Sequence, residues 1–226
     1  MKKKHVIIIL VIAIIVVIGL IGLWIYRSNQ TDAIQFKKEY ESFNGEKTSS
    51  GRDYLSVVLS RNNQFHYASF EEIMDVLNGT GVIYFGFPEC PWCRNIVPVL
   101  SEAASETGIE KIYYFNALSM RDTKILDENG NVITEQEGTD EYYQLLEAMS
   151  SVLGPYEGLN DESILRLYFP TVVFVKDGKI VKIHVGTLDS QKDPYLGLTT
   201  EQREEIKKIY TDGMHDVLDD LCDLKC

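Results

Sequence analysis

The sequence predicts an α/β domain, a central mixed β-sheet flanked by helices, carried behind a single N-terminal transmembrane helix. Three observations carry that expectation. Branched and aromatic runs alternate with helical patterns along the chain, two cysteines stand two residues apart where an apolar run gives way to a helix, and an unbroken apolar stretch lies near the start.

The apolar stretch comes first. Lys2, Lys3 and Lys4 precede a run from Val6 to Tyr26 that Arg27 closes. Its length, at about 1.5 Å per helical residue, matches a hydrocarbon core of about 30 Å. A cleaved leader would have a shorter apolar core and a small-residue exit, and Leu23-Trp24-Ile25-Tyr26 is no such exit. A buried core helix is the alternative, but the run has no polar face. Trp24 and Tyr26 stand where interfacial aromatics belong, and the lysine bias puts the N-terminus in the cytoplasm and the remainder outside the cell membrane. The expected division is a membrane anchor over residues 1–27, a polar tether over 28–52, and a folded domain over 53–226. Within the tether, Ala33 to Phe43 has a weak helical periodicity that could dock elsewhere.

All 34 acidic residues follow Arg27, against 18 of the 22 basic ones, so the part beyond the anchor is more acidic than the whole chain's −12. That balance speaks against nucleic acid and against adhesion to anionic lipid as partners. Four cysteines are too few for a disulfide framework.

The elements then follow in order. Gln64 to Ala68 alternates as a short strand. Ser69-Phe70-Glu71-Glu72 is a helix cap with an acid three residues on, opening a helix that Asn78-Gly79 ends. Val82 to Phe87 reads as a buried strand leading into Cys90-Pro91-Trp92-Cys93, and a helix continues to about Glu106. Lys111 to Phe115 is the next strand. Ile125 to Ile133 is expected to form a hairpin about Asn129-Gly130, followed by a helix from Asp140 to Val152. Phe169 to Val175 and Ile180 to Val185 form a second hairpin about Asp177-Gly178. From Thr199 the pattern is helical to the end, with a break expected at Asp212-Gly213.

The cysteine pair carries the chemistry. A first cysteine at a helix start meets unsatisfied N–H groups and the positive end of the dipole, which favour a thiolate. The thiolate attacks a disulfide, and the second cysteine resolves the mixed disulfide. Pro91 suits the first helical position. The alternative is a zinc site completed by Cys222 and Cys226, but nothing around those two resembles a zinc ribbon and no metal is expected. His66, His184 and His215 have no ligand spacing and read as structural.

Two blocks give the chain a family resemblance. Cys90-Pro91-Trp92-Cys93, the basic Arg94 and the in-helix Pro98 form one; Pro170-Thr171, four apolar residues, Lys176-Asp177-Gly178 and Val185-Gly186-Thr187-Leu188 form the other. Together they resemble the thioredoxin superfamily. The whole layout looks like the exported, membrane-anchored thioredoxin-like proteins of Gram-positive bacteria, some called bacteriocin transport accessory proteins. The resemblance implies a thioredoxin-like fold with an insertion over about residues 120–167. It implies that Cys90 attacks, Cys93 resolves and Pro170 is a cis-proline beside them. Pro91, Trp92, Phe169 and Thr171 become the expected substrate contacts. The redox-active Cys90–Cys93 disulfide stands in place of any cofactor. The chain also departs from thioredoxin. Tyr84 occupies the strand position of a buried aspartate, and Glu89, preceding the first cysteine, either opposes the thiolate or faces water.

The function these readings imply is an extracytoplasmic thiol–disulfide oxidoreductase acting on exported thiol- or disulfide-containing proteins or peptides, with an unidentified redox partner. The direction of electron flow is left open, because it depends on relative thiolate stability across the site. The alternative is a non-catalytic accessory module that binds an exported peptide or transporter. Cys222 and Cys226, one helical turn apart, are expected to form a second disulfide; a relay to Cys90 is the other reading.

Overall fold

A strand buried on both faces has no polar side to show, and Val82, Ile83, Tyr84 and Phe85 are all fully buried. They form the middle of the sheet in the computed structural model, which describes residues 13, 15–20, 22 and 31–218. Along the described chain the elements are α1 (Asp32–Glu41), β1 (Phe65–Tyr67), α2 (Phe70–Leu77), β2 (Gly81–Phe85), α3 (Pro91–Thr107) and β3 (Ile112–Phe115). A short 3-10 turn (Leu118–Met120) leads to β4 (Thr123–Leu126), β5 (Val132–Gln136), α4 (Asp140–Ala148), β6 (Thr171–Lys176), β7 (Lys179–Val185) and α5 (Thr200–Leu218). The main sheet has the order β1-β3-β2-β6-β7. β1, β3 and β2 run parallel, while β6 and β7 run antiparallel to their neighbours. This is a mixed α/β architecture with a central mixed sheet and flanking helices.

Alternation along the central strands builds two cores. Val82 and Tyr84 of β2, with Val172 and Phe174 of β6, face α1, α3 and α5. Ile83 and Phe85, with Val173 and Val175, face α2, α4 and the chain before β6. A side-chain period of two puts each residue on the opposite face from its neighbour. The capping box at Ser69 is present: the Glu72 N–H donates to Ser69 Oγ at 3.2 Å, and the Ser69 N–H donates to Glu72 Oε2 at 2.8 Å.

The packed body begins earlier than residue 53. Helix α1 is capped by Thr31 and buries Phe36 and Tyr40 completely. Phe36 stacks on Phe65 with ring centroids 3.9 Å apart. Residues 31–52, read as tether, are therefore part of the domain, and the weak periodicity of Ala33 to Phe43 was the trace of a docked helix. Aromatic burial supplies what that helix lacks in a broad apolar stripe.

Helix α5 also differs from expectation. It runs unbroken through Asp212 and Gly213. A Cβ at position 213 would stand 2.8 Å from the Phe174 ring, so the glycine lets the helix lie against β6 rather than ending it. Glycine costs a helix interior roughly 1 kcal/mol relative to alanine, and here close packing offsets that. Helix α4 stops at Ala148, short of the expected Val152, with Met149 at its C-cap. Strand β2 stops at Phe85, because the chain leaves the sheet at Gly86 to reach the cysteines.

The region 120–167 carries its own structure. Strands β4 and β5 pair as a two-stranded sheet, turned by Asp127, whose Oδ1 accepts from the Asn129 and Asn131 N–H groups at 2.9 and 2.8 Å. Asp122, 1 % exposed, lies 3.5 Å from Arg166 and 3.4 Å from Lys124. Among the described residues no helix is long and apolar enough to cross a membrane. The Val6–Tyr26 run falls largely outside them, and Cys222 and Cys226 fall wholly outside.

Candidate active site

Cys90 is the N-cap of α3, with extended backbone, and Pro91 occupies the first helical turn. A cap residue accepts hydrogen bonds from the orphan N–H groups of its helix. Here a sulfur does so: the Cys93 N–H donates to Cys90 Sγ at 3.2 Å. Cys90 is 4 % exposed and Cys93 is not exposed at all, and both are free thiols.

The two sulfurs are polarised in opposite directions. Burial works to raise the Cys90 thiol. The Cys93 thiol, the backbone N–H groups of Cys93 and Trp92, and the Arg121 cation outweigh it, and Cys90 falls below the usual thiol range. Burial pushes Cys93 well above that range, with the neighbouring Cys90 adding to the rise and the Tyr84 hydroxyl opposing it. One thiol is prepared to ionise and the other to keep its proton.

The second wall is the segment before β6. The Phe169–Pro170 peptide is cis, and Cys90 Sγ contacts the Phe169 carbonyl oxygen at 3.8 Å. Seventy-nine residues separate these partners in sequence. Phe169 packs edge-on against Phe87, centroids 5.6 Å apart, and lies under the Arg121 guanidinium at 4.7 Å. Pro91, Trp92 and Phe169, three of the expected substrate contacts, are partly exposed. Thr171 is not: fully buried, it donates its hydroxyl to the Tyr168 carbonyl at 2.8 Å and shapes the turn from beneath. Trp92 and Phe169 line an open groove of about 510 Å³ with Tyr168, Val185, Gly186, Thr187 and Leu188. Glu89 is exposed and faces water.

Three residues that the sequence reading left out of the site complete it. Arg121, from the start of the inserted region, brings a cation to Cys90. Arg94 is fully buried and donates to the carbonyls of Leu55 at 2.7 Å, Tyr40 at 2.8 Å and Pro88 at 3.0 Å, and to Asn44 Oδ1 at 2.8 Å. It ties the loop before Cys90 to the segment following α1. Tyr40 reaches from α1 to place its hydroxyl 2.8 Å from that of Tyr84. Only the position of Arg94 after the second cysteine was a signal in the sequence; nothing local marked Arg121 or Tyr40.

The histidines stand apart from the site. His66 Nδ1 lies 2.5 Å from Asp32 Oδ2, His184 Nδ1 lies 3.2 Å from Tyr210 Oη, and His215 is exposed. Among the described residues, no three His, Cys, Asp or Glu side chains are grouped to hold a metal.

No family model and no curated protein matches the chain. Among solved structures it is similar to the crystal structure of thioredoxin from Aeropyrum pernix, at 20% identity and a TM-score of 0.32, over 64% of this chain and 86% of that one.

Proposed function

We propose that the protein is a membrane-tethered, extracytoplasmic thiol–disulfide oxidoreductase acting on exported proteins or peptides. One observation carries the reading: an N-cap cysteine with a lowered pKa stands over a buried partner thiol and beside a cis-proline turn. A structural disulfide would need neither the helix N-terminus nor the asymmetry between the sulfurs.

In the reducing direction, the Cys90 thiolate attacks one sulfur of a substrate disulfide and expels the other as a thiolate. Cys93 then attacks Cys90 Sγ, which releases the first substrate sulfur and leaves the Cys90–Cys93 disulfide. The reverse sequence oxidises a dithiol substrate. The partly exposed Trp92 and Phe169 flank the sulfurs and offer apolar surface to an unfolded or extended chain. The lysines before Val6, set against the single Arg27, support placing the domain outside the cell. The layout's resemblance to exported thioredoxin-like proteins of Gram-positive bacteria points the same way.

The test is a redox titration of the dithiol combined with an insulin-type disulfide reduction assay. Turnover is expected in the wild-type protein and absent in Cys90→Ser, with Cys93→Ala accumulating mixed disulfides. A protein whose Cys90 exchanges with no substrate disulfide would be a binding module instead.

A further inference from the structure

On the reading just given, Cys93 must surrender a proton as it attacks, yet it sits where charge is disfavoured. The titratable side chains coupled to it by charge come from five elements: Cys90 on its own helix, Tyr84 on β2, Tyr40 on α1, Tyr114 on β3 and Tyr210 on α5. At their margin Arg94 donates to the Tyr40 carbonyl, and the exposed Glu89 acts on Tyr114 from a distance.

Two of these groups are organised. Tyr40 and Tyr84 are both fully buried, their hydroxyl oxygens are 2.8 Å apart, and Cys93 is fully buried beside them. The backbone makes room for the arrangement at Gly86. A Cβ there would come within 2.9 Å of Tyr84 Cε2 and closer still to the hydroxyl. We propose that the Tyr40–Tyr84 hydroxyl pair positions and polarises the resolving thiol. Either hydroxyl of the pair can donate; the proposed arrangement has Tyr84 donating to the Cys93 sulfur and Tyr40, carried by α1, donating to the Tyr84 oxygen and fixing that rotor.

The chemistry follows from what a buried phenol can do. Burial holds both tyrosines well above their ordinary range, so both keep their protons and act as donors, never as bases. When the substrate disulfide has been opened by Cys90, the expelled substrate thiolate takes the Cys93 proton. The electron pair left on Cys93 attacks Cys90 Sγ, a Cys90–Cys93 bond forms, and the bond from Cys90 to the substrate breaks with its pair leaving on the second substrate sulfur. The protein dithiol is oxidised by two electrons and the substrate disulfide is reduced to one thiol, which carries the Cys93 proton, and one thiolate, which takes its proton from solvent. Throughout, the Tyr84 hydrogen bond strengthens as negative charge gathers on Cys93. A buried carboxylate in that position would take the proton itself; a phenol pair leaves it to the departing sulfur. The segment 31–52 thereby supplies a positioning residue, Tyr40, in addition to its structural part.

The experiment measures Cys93 in the full chain without any substrate. In a Cys90→Ser background, the rate of Cys93 alkylation by iodoacetamide is followed against pH for Tyr84→Phe and Tyr40→Phe. Tyr84→Phe is expected to move the profile upward by about a pH unit, a tenfold loss of thiolate at fixed pH, in line with a hydrogen bond to charge. Tyr40→Phe moves it less, in the same direction. The Cys90 profile in a Cys93→Ala background is expected to stay in place for both. In the otherwise wild-type chain, Tyr84→Phe slows release of a small aromatic thiol from the mixed disulfide about tenfold and leaves the initial attack by Cys90 unchanged. An unmoved Cys93 profile in Tyr84→Phe overturns the proposal. If that variant does not fold, an unmoved profile in Tyr40→Phe does so. Because alkylation needs no disulfide substrate, an inactive wild-type protein would defeat the functional reading while leaving this result intact.

Discussion

Cys90 and Cys93 lie in one helical turn and are held in opposite protonation preferences, which sets what each can be asked to do. Cys90 is below the ordinary thiol range and Cys93 well above it, so the thiolate population at Cys90 appears at lower pH. Alkylation of the reduced protein, followed by peptide mapping, is expected to label Cys90 first and to keep that preference as pH falls toward 6. Preferential labelling of Cys93 would reverse the assignment. Arg121 contributes to the difference by its charge and stacks over Phe169 at 4.7 Å. Replacing it with Gln removes the cation, so the Cys90 profile should move to higher pH, with a loss of about 0.5–1 kcal/mol in stability from the lost ring contact. Thiolate absorbance of Cys90 in a Cys93→Ala background reads the shift directly. An unchanged titration would make Arg121 a packing residue.

At the scale of elements, the attachment of α1 and of α5 decides how firmly the site is held. Arg94 makes four hydrogen bonds, one to Pro88 in the loop before α3, one to Tyr40 within α1, and two to Asn44 and Leu55 after it. Arg94→Ala leaves buried acceptors unpaired, each costing about 1–3 kcal/mol before relaxation. A loss of about 2–4 kcal/mol in denaturant unfolding is expected, with faster proteolysis within 31–55. Gly213→Ala sets two effects against each other. Helix propensity gains about 1 kcal/mol, but the new Cβ meets the Phe174 ring at 2.8 Å, and overpacking costs about 1–3 kcal/mol. Net destabilisation is expected, since the ring is locked in the core between β2 and α5. A stabilised Gly213→Ala would show that Phe174 can move aside.

For the whole molecule the question is where the domain sits and how its ends are tied. With three lysines before the apolar run, reagents that cannot cross membranes should reach Cys90 in intact cells after mild reduction. Labelling that needs lysis would return the site to the cytoplasm. Cys222 and Cys226 lie beyond the described residues and are expected to bridge to each other. Mass mapping of the oxidised protein checks this: a Cys222–Cys226 link surviving conditions that reduce Cys90–Cys93 supports the staple, and a link from Cys90 to either residue establishes a relay.

What the sequence by itself determined was local. The helix start at Cys90, the capping box at Ser69, the turn at Asp177-Gly178 and the alternation of strand and helix all follow from neighbours a few residues apart, and sequence shows neighbours. The tertiary structure alone decided the environment of the sulfurs. Tyr40 meets Tyr84 across 44 positions, and Arg94 reaches Leu55 across 39, while Arg121 comes to Cys90 from the far side of β3. The same holds for Gly213, a helix breaker by composition that is kept helical because Phe174 fills the space a side chain would take. Burial is a property of the assembled cores, and burial sets both the reluctance of Cys93 to ionise and the permanence of the tyrosine protons beside it.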